Sequence, residues 1–118
     1  MNKLVNKENA LHYMWGEICD GWHLLDNDKL NVIMELVPPG KSEKMHYHNE
    51  SRQFFFILNG KAVIEIEGQI HDLSANEGIA VEPKQVHQFR DESSEDVTFI
   101  VISSPKSHGD RVDVENFS

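Results

Sequence analysis

Cysteine is almost absent from this 118-residue chain: Cys19 stands alone, so no disulfide can form within one molecule. Structural disulfides are a feature of oxidising compartments, so their absence agrees with a reducing cytoplasm. Long apolar runs are lacking as well. No stretch approaches the roughly 18 apolar residues of a transmembrane helix, and residues 1–22 hold no apolar segment of the signal-peptide kind. We therefore expect a soluble cytoplasmic protein.

Positive charge is also scarce in this sequence. The chain has 11 basic against 20 acidic residues, which gives a formal net charge of −9. The electrostatic field of such a chain repels phosphate backbones and anionic lipid surfaces. The charge balance therefore excludes nucleic acid and membranes from the expected partners.

What the chain does contain is a succession of short apolar or alternating runs separated by turn residues, a pattern typical of an all-β sandwich or barrel. A length of 118 residues with 39% hydrophobic content suffices for one core. We expect a single all-β domain over residues 1–118, with the barrel core at about 30–103 and a C-terminal arm at 104–118. The predicted strands cover residues 30–37, 44–48, 53–58, 62–67, 69–73, 79–81, 87–90 and 97–103.

Three local features complete this outline. Asn59-Gly60 separates two apolar runs, and because both residue types tolerate positive φ, the pair predicts a tight hairpin that joins strands 54–58 and 62–66. Residues 8–18 have weak helical spacing, which predicts a short N-terminal helical or irregular segment. The polar residues after Pro105 show no clear period and are either an arm on the barrel or frayed.

The most informative short motif is a pair of histidines one residue apart, His46 and His48. Side chains alternate faces along a strand, so the two imidazoles point the same way while Met45 and Tyr47 point the other way. On the inner face of a barrel the pair would form half of a site for a first-row metal. On an edge strand it would be a solvated polar face, and the motif alone leaves both interpretations open.

The wider spacing resembles the first motif of the cupin superfamily. That motif has glycine, five residues, His-x-His, three or four residues, glutamate, six residues and glycine; here Gly40, His46, His48 and Gly60 match, and Gln53 replaces the glutamate. The second cupin motif supplies a third histidine, and residues 76–91 resemble it more loosely, with His87 at that place. The usual residues of the second motif are replaced at Asn76, Glu82, Lys84 and Asp91.

The resemblance implies a double-stranded β-helix, or jelly-roll barrel, with a metal bound inside by His46, His48, Gln53 and His87. The metal would be divalent zinc, manganese, nickel or iron, since imidazole suits all four ions. A neutral amide in place of a carboxylate would leave more of the ion's charge uncompensated, which favours anionic ligands but weakens metal binding. Glu50 is the rival fourth ligand, because strict alternation continues from His48 to position 50. A third alternative is that the histidines bind a polar ligand without metal.

Two further side chains are candidates for catalysis. Glu35 lies on the face of its strand opposite Val32 and Met34, so it either points to solvent, which we favour, or is a buried acid that could serve as a general base. Arg111 follows the last predicted strand. It belongs either to an ordinary polar exit loop, which we favour, or to a mouth segment that grips a carboxylate or phosphate.

Cupins include enzymes of several classes as well as binding proteins, so fold alone does not fix the chemistry. The first hypothesis is a small metalloenzyme that acts on a polar or anionic small molecule, such as a sugar acid or keto acid, by metal-assisted proton transfer, isomerisation or lyase chemistry. The alternatives are a non-catalytic ligand-binding cupin and a three-histidine iron dioxygenase. Exposed aromatics such as Phe54 and Phe56 on the outer face predict a homodimer.

Overall fold

The computed structural model describes residues 2–16, 18–107 and 109–114, and these residues contain eleven β-strands. None of the described residues forms a helix with the length and hydropathy needed to cross a membrane. The strands are β1 (Leu11–Trp15), β2 (Cys19–Asp26), β3 (Asn31–Val37), β4 (His46–His48), β5 (Arg52–Asn59), β6 (Ala62–Ile66), β7 (Gln69–Leu73), β8 (Gly78–Val81), β9 (His87–Arg90), β10 (Val97–Ser104) and β11 (Arg111–Asp113).

The strands form two antiparallel sheets. The six-stranded sheet has the order β1-β2-β3-β10-β5-β8, and the five-stranded sheet has the order β11-β4-β9-β6-β7. From β3 onward the chain crosses between the sheets at each connection except that of β6 to β7. In a jelly roll the two sheets bury their inner faces against each other in this way. The predicted fold class, an all-β double-stranded β-helix, is confirmed.

Strict alternation places the core between the sheets. Along β10, Val97, Phe99 and Val101 are buried while the residues between them are partly exposed. Phe89 of the facing sheet stacks on Phe99 with ring centroids 3.9 Å apart, and both rings are almost fully buried. A cavity adjoins this core, and Phe55 and Val101 belong to both.

The predicted pairing of strands 54–58 and 62–66 is wrong. β5 pairs with β8 and β10, whereas β6 pairs with β7 and β9, so Asn59-Gly60 carries the chain from one sheet to the other. Gly60 has a φ of 90°, and a Cβ there would lie 2.5 Å from the carbonyl oxygen of Asp96, so the glycine permits a close crossing. The tight hairpin lies instead at Glu67-Gly68, where both residues have positive φ, as a primed turn requires.

The predicted helical spacing at residues 8–18 is also wrong. β1 pairs with β2, a strand that the sequence analysis missed, and the two strands lengthen the six-stranded sheet. Leu11, Met14 and Ile18, which the helical pattern would have buried, are 70%, 62% and 49% exposed. In the arm, β11 pairs with β4, so the described part of the tail lies on the barrel. The sheets therefore extend beyond residues 30–103.

Candidate metal centre and cavity

Three histidines meet on the inner face of the five-stranded sheet. His46 and His48 project inward from β4, as their alternation predicts, and His87 lies directly opposite His46 on β9. All three side chains are buried, and one ring nitrogen of each lies within 4.8 Å of the others. The structure thus brings together three of the four residues that the resemblance implied as ligands, with a spacing that one ion can bridge.

Backbone carbonyls orient two of these rings. Nδ1 of His46 lies 2.7 Å from the Lys44 oxygen, and Nδ1 of His87 lies 2.9 Å from the Gln85 oxygen. A carbonyl only accepts, so each Nδ1 carries the proton and each Nε2 keeps a lone pair for a ligand. Burial lowers the pKa of His46 to about 3 and that of His87 to about 4. Both rings are therefore neutral at pH 7, the form that binds metal.

Gln53 supplies a fourth inward-facing donor. Its Nε2 donates a hydrogen bond of 3.1 Å to Ser103 Oγ, which leaves the amide oxygen facing the cavity side. Four buried atoms of this cluster have no hydrogen-bond partner among the described residues, and an unpaired buried polar atom is costly. They are Nδ1 and Nε2 of His48, Nε2 of His87 and Oε1 of Gln53. The neutral His48 ring carries a proton on one nitrogen, so a bound cation would satisfy the lone pairs of its other nitrogen, of His87 Nε2 and of Gln53 Oε1. The donor set therefore fits a metal.

Glu50, the rival fourth ligand, is placed away from this cluster. The side chain is exposed and does not line the cavity. The chain bends between β4 and β5 because Asp110 Oδ2 accepts hydrogen bonds of 2.9 Å from the backbone nitrogens of Glu50 and Ser51. This bend interrupts the alternation on which the Glu50 alternative depended.

His46, His48 and Gln53 line a cavity of about 800 Å³ between the two sheets. This volume is within the range of sites for small organic ligands, about 300–1,000 Å³. The cavity combines an apolar wall with a few convergent polar groups. The apolar residues include Trp15, Ile33, Phe55 and Val101.

Glu35 lies in the wall of this cavity, so the expectation that its side chain faces solvent is wrong. The Tyr13 hydroxyl donates a hydrogen bond of 2.8 Å to Glu35 Oε2. Burial raises the pKa of Glu35 to about 7, against the lowering effects of the Tyr13 bond and of Arg111. At neutral pH this carboxyl can both give and take a proton.

Glu43 is a second cavity acid, which the sequence analysis missed. Its Oε2 accepts a hydrogen bond of 3.1 Å from the Phe89 backbone nitrogen and lies 4.0 Å from Nδ1 of His46. Burial, with a further contribution from Glu35, raises its pKa to about 8. No sequence signal indicated it, since Glu43 precedes β4 and does not share the alternation of the histidines.

Arg111 lies on β11 opposite His48, at the edge of the cavity, rather than in an exit loop. Its Nε donates a hydrogen bond of 2.7 Å to Asp113, and the other cavity cation, Lys106, lies 2.5 Å from Asp26. Both cations of the described wall thus have carboxylate partners. Affinity of the cavity for anions would therefore depend mainly on a bound metal. His108, of the same polar segment, lies outside the described residues.

The elevated pKa of Glu35 predicts a pH-dependent contribution to stability. Between pH 4.5 and about 7 the folded protein keeps a proton that the unfolded chain releases, so Glu35 makes the fold less stable as pH rises through this window. We expect Glu35→Gln to gain stability relative to wild type by about 2 kcal/mol between pH 5 and pH 8, at about 1.4 kcal/mol per pH unit with some loss to solvent screening. Urea unfolding at the two pH values measures this difference.

The comparison with wild type is necessary because Glu43 and the histidines also titrate and remain in the variant. Glu8→Gln, a change at an exposed carboxyl, is the matched control and should follow the wild-type pH dependence. Parallel curves for wild type and Glu35→Gln would show that the carboxyl is not held in the protonated form.

The double-stranded β-helix, with three inward histidines beside a ligand-sized cavity, places this chain among the small jelly-roll barrel proteins. The chain belongs to the cupin family, because the family model described as "Cupin domain" matches residues 33–103. Tyr13 and Arg111 lie outside the matched residues.

Known structures are similar along nearly the whole chain. The polyketide cyclase RemF from Streptomyces resistomycificus has a TM-score of 0.84 at 17% identity, covering 100% of this chain and 89% of that chain. An RmlC-like cupin from Shewanella frigidimarina has a TM-score of 0.81 at 18% identity (92% and 96% covered). KdgF from Halomonas sp. has a TM-score of 0.79 at 15% identity (90% and 96% covered). At these identities the likeness establishes the fold.

One curated relative is similar in sequence. The polyketide synthase CurC from Streptomyces cyaneus is 25% identical over 72 residues, which are 61% of this chain and 47% of that protein. The match therefore spans about half the length of that relative.

Proposed function

We propose that this protein binds one divalent metal ion through His46, His48, Gln53 and His87 and catalyses proton transfer on a small oxygen-containing molecule in the adjoining cavity. The observation that carries the proposal is the group of buried, unpaired donor atoms that converge at the end of the cavity. Three neutral imidazoles and an amide oxygen suit zinc, manganese, nickel or iron.

A bound divalent ion would supply Lewis acidity toward a carbonyl or hydroxyl oxygen of the ligand. The chain itself supplies the remaining functions. The apolar wall around Trp15 and Phe55 excludes water, and Glu35, with a pKa near neutrality, can remove or return a proton beside the activated oxygen. Keto acids and sugar acids have this chemistry, because a proton next to their carbonyl becomes acidic when that oxygen is polarised.

The ligand set is tested by metal analysis of two variants. We expect Gln53→Ala to reduce affinity for Zn²⁺ by roughly 10-fold or more, because the amide oxygen is lost while the three imidazoles remain. Glu50→Ala should bind like wild type, since that side chain is exposed outside the cavity. Elemental analysis and calorimetric titration with Zn²⁺ provide the readout. Metal loss in Glu50→Ala with retention in Gln53→Ala would reverse the assignment.

Catalysis is tested by exchange of substrate protons with solvent. Pyruvate and glucuronate, incubated in D₂O with the zinc-loaded protein and followed by ¹H NMR, should lose the signal of the proton next to the carbonyl faster than without protein. Tight binding with no exchange would favour a non-catalytic binding protein. Oxygen consumption by the iron-loaded protein would favour the dioxygenase alternative.

A second candidate activity is the cyclisation of a polyketone chain. Two comparisons support it: the curated relative is a polyketide synthase, and RemF, described as a polyketide cyclase, covers all of this chain. The cavity volume and aromatic wall would accommodate a ligand of several rings. Adjacent carbonyls of such a chain would place an acidic proton near the same metal. Conversion of a synthetic polyketone precursor, followed by mass spectrometry as the loss of one water molecule when ring closure is followed by dehydration, would distinguish this activity from simple exchange.

We also propose that the protein is a homodimer joined through the outer face of the six-stranded sheet. Cross-strand rows of apolar residues cover this face, with Phe54 opposite Ile102 and Phe56 opposite Ile100. Phe54 is 40% exposed in the single chain, and continuous apolar patches of this kind mark interfaces. Sedimentation at micromolar concentration should give twice the 13.6 kDa mass of the chain, and Phe54→Glu should give the monomer. A wild-type protein that sediments as a monomer would contradict the proposal.

A further inference from the structure

Three residues form one row across the first three strands of the six-stranded sheet. Gly21 of β2 lies opposite Tyr13 of β1 on one side and opposite Glu35 of β3 on the other. The Tyr13 side chain crosses this middle position, and its hydroxyl reaches Glu35 Oε2 at 2.8 Å. The hydrogen bond therefore joins β1 to β3 across the intervening strand β2. Direct side-chain contacts in a sheet normally join residues on adjacent strands.

Gly21 is what makes the crossing possible. A Cβ at this position would lie 2.2 Å from Tyr13 Cζ and 2.5 Å from its hydroxyl oxygen, far inside van der Waals contact. The φ of Gly21 is not in the left-handed region, so the backbone itself would accept any L residue. The absence of a side chain at Gly21 is thus explained by the tyrosine ring and not by a turn.

The ring is held on its other side as well. The His23 ring, also from β2, lies against Tyr13 with centroids 4.8 Å apart. Burial and the proximity of Glu35 raise the pKa of Tyr13 well above its usual range, so the phenol keeps its proton and acts as a donor. The carboxyl it holds lies on the sheet that faces the histidine cluster, in the wall of the same cavity.

We propose that Gly21 and Tyr13 are positioning residues that hold the Glu35 carboxyl inside the cavity as the group exchanging a proton with the bound ligand. This inference rests on the proposed function. The neutral carboxyl gives its proton to a ligand oxygen, and the resulting carboxylate accepts the Tyr13 hydrogen bond. The carboxylate then recovers a proton from the carbon next to the ligand's carbonyl, so protons balance over the cycle and the ligand is isomerised.

A structural hydrogen bond without a role in proton transfer would have the same geometry, so the test must follow the protonation of Glu35 itself. The other titratable or charged groups that bear on this carboxyl are Tyr13, Cys19, Glu43 and Arg111, with His23 in the same wall. None of the proposed substitutions removes a charge from this set.

The titration of Glu35 is measured by ¹³C NMR of its carboxyl in the zinc-loaded full-length protein, with the signal assigned from Glu35→Gln. Tyr13→Phe should raise the pKa of Glu35 by about one pH unit, because a donor to the carboxylate is lost. Gly21→Ala should move it in the same direction by displacing the ring. The double variant should move it no further than either single change, because both act through one hydrogen bond.

Gly78→Ala is the matched glycine control. A Cβ there would lie 2.6 Å from the Phe54 ring and 2.7 Å from the Phe55 carbonyl oxygen, and it would not touch Tyr13. This variant should therefore lower the melting temperature without altering the titration of Glu35. Additive effects of Gly21→Ala and Tyr13→Phe, or a Glu35 titration that neither change moves, would overturn the proposal.

The same variants are then followed in the deuterium exchange of pyruvate. The pH profile of the wild-type rate should have a limb at the pKa of Glu35, and the limb should move with the NMR titration in Tyr13→Phe and Gly21→Ala. Exchange that persists unchanged in Glu35→Gln would overturn the inference together with the role assigned to Glu35, and would leave the metal site and its proton-transfer activity standing. Absence of exchange in the zinc-loaded wild type would instead count against the proposed function, while the NMR titration still decides whether Gly21 and Tyr13 hold the carboxyl.

Discussion

Replacement of His87 by alanine is expected to abolish stoichiometric binding of Zn²⁺. His87 is the one ligand candidate supplied by β9, and its Nε2 is buried without a hydrogen-bond partner among the described residues. Without it, two imidazoles and an amide remain on one side of the site. The loss of affinity should exceed the roughly 10–100-fold that accompanies removal of a hydrogen-bond partner of a ligand. Calorimetric titration with Zn²⁺ and elemental analysis measure it.

Stability provides a second readout of the same change. Zinc at about 100 times its Kd should stabilise the wild-type fold by about 2.7 kcal/mol, because only the folded chain holds the four donors together. For a domain of this size this corresponds to a rise of about 10 °C in melting temperature. His87→Ala should show almost none of this rise at the same zinc concentration.

His12→Ala is the control for this experiment, because the His12 ring is 45% exposed and pairs with Asp20 outside the cavity. It should bind zinc and gain stability as wild type does. If His87→Ala retained one zinc per chain at wild-type affinity, the proposed centre would be wrong.

Phe89→Ala is expected to have the largest effect on folding. The ring is fully buried, stacks on Phe99 at 3.9 Å and lies 6.0 Å from Phe55, whose ring also contacts His87. Its removal leaves a cavity that flanking strands cannot close, at a cost of about 3–5 kcal/mol. That cost is a large fraction of the roughly 5–15 kcal/mol by which domains are stable. Urea unfolding monitored by circular dichroism should show the lower midpoint.

Ile70→Ala is the paired control for this core substitution. Ile70 lies on β7 and is 54% exposed, so its truncation should change the free energy of unfolding by no more than about 0.5 kcal/mol. Similar losses in Phe89→Ala and Ile70→Ala would mean that the stacked rings do not form the centre of the core.

The parts of the fold that depend on local patterns were predictable from the sequence. Alternation along a strand depends only on backbone geometry and can therefore be read from the sequence. The structure confirms the predicted strands around His46, Phe55 and Phe99 and the shared face of His46 and His48. The pairing of strands was less accessible, because it depends on contacts distant in sequence. Asn59-Gly60 has the composition of a hairpin, yet β6 pairs with β9 through Ile64 and Phe89, and this pairing takes the chain into the other sheet.

The N-terminal strands and the cavity acids illustrate the same limit. β1 is stabilised by its pairing with β2, and of its side chains just Tyr13 and Trp15 are partly buried, so its sequence carries a weak strand signal. The positions of Tyr13 and Glu43 in the cavity follow from a crossing over Gly21 and from a bond to the Phe89 backbone nitrogen, respectively. Neither contact has a local signature, whereas Glu35 could be placed on the inner face by its alternation with Val37.

The position of β11 couples the tail of the chain to the histidines. β4 forms three residue pairs with β11. With β9 it forms a single pair, between His46 and His87. The short strand that holds two imidazoles therefore depends on the tail for most of its backbone pairing. A binding protein, antibody or fused domain that displaces residues 111–113 should therefore shift His46 and His48 without contacting either ring, and so weaken metal binding at the proposed site.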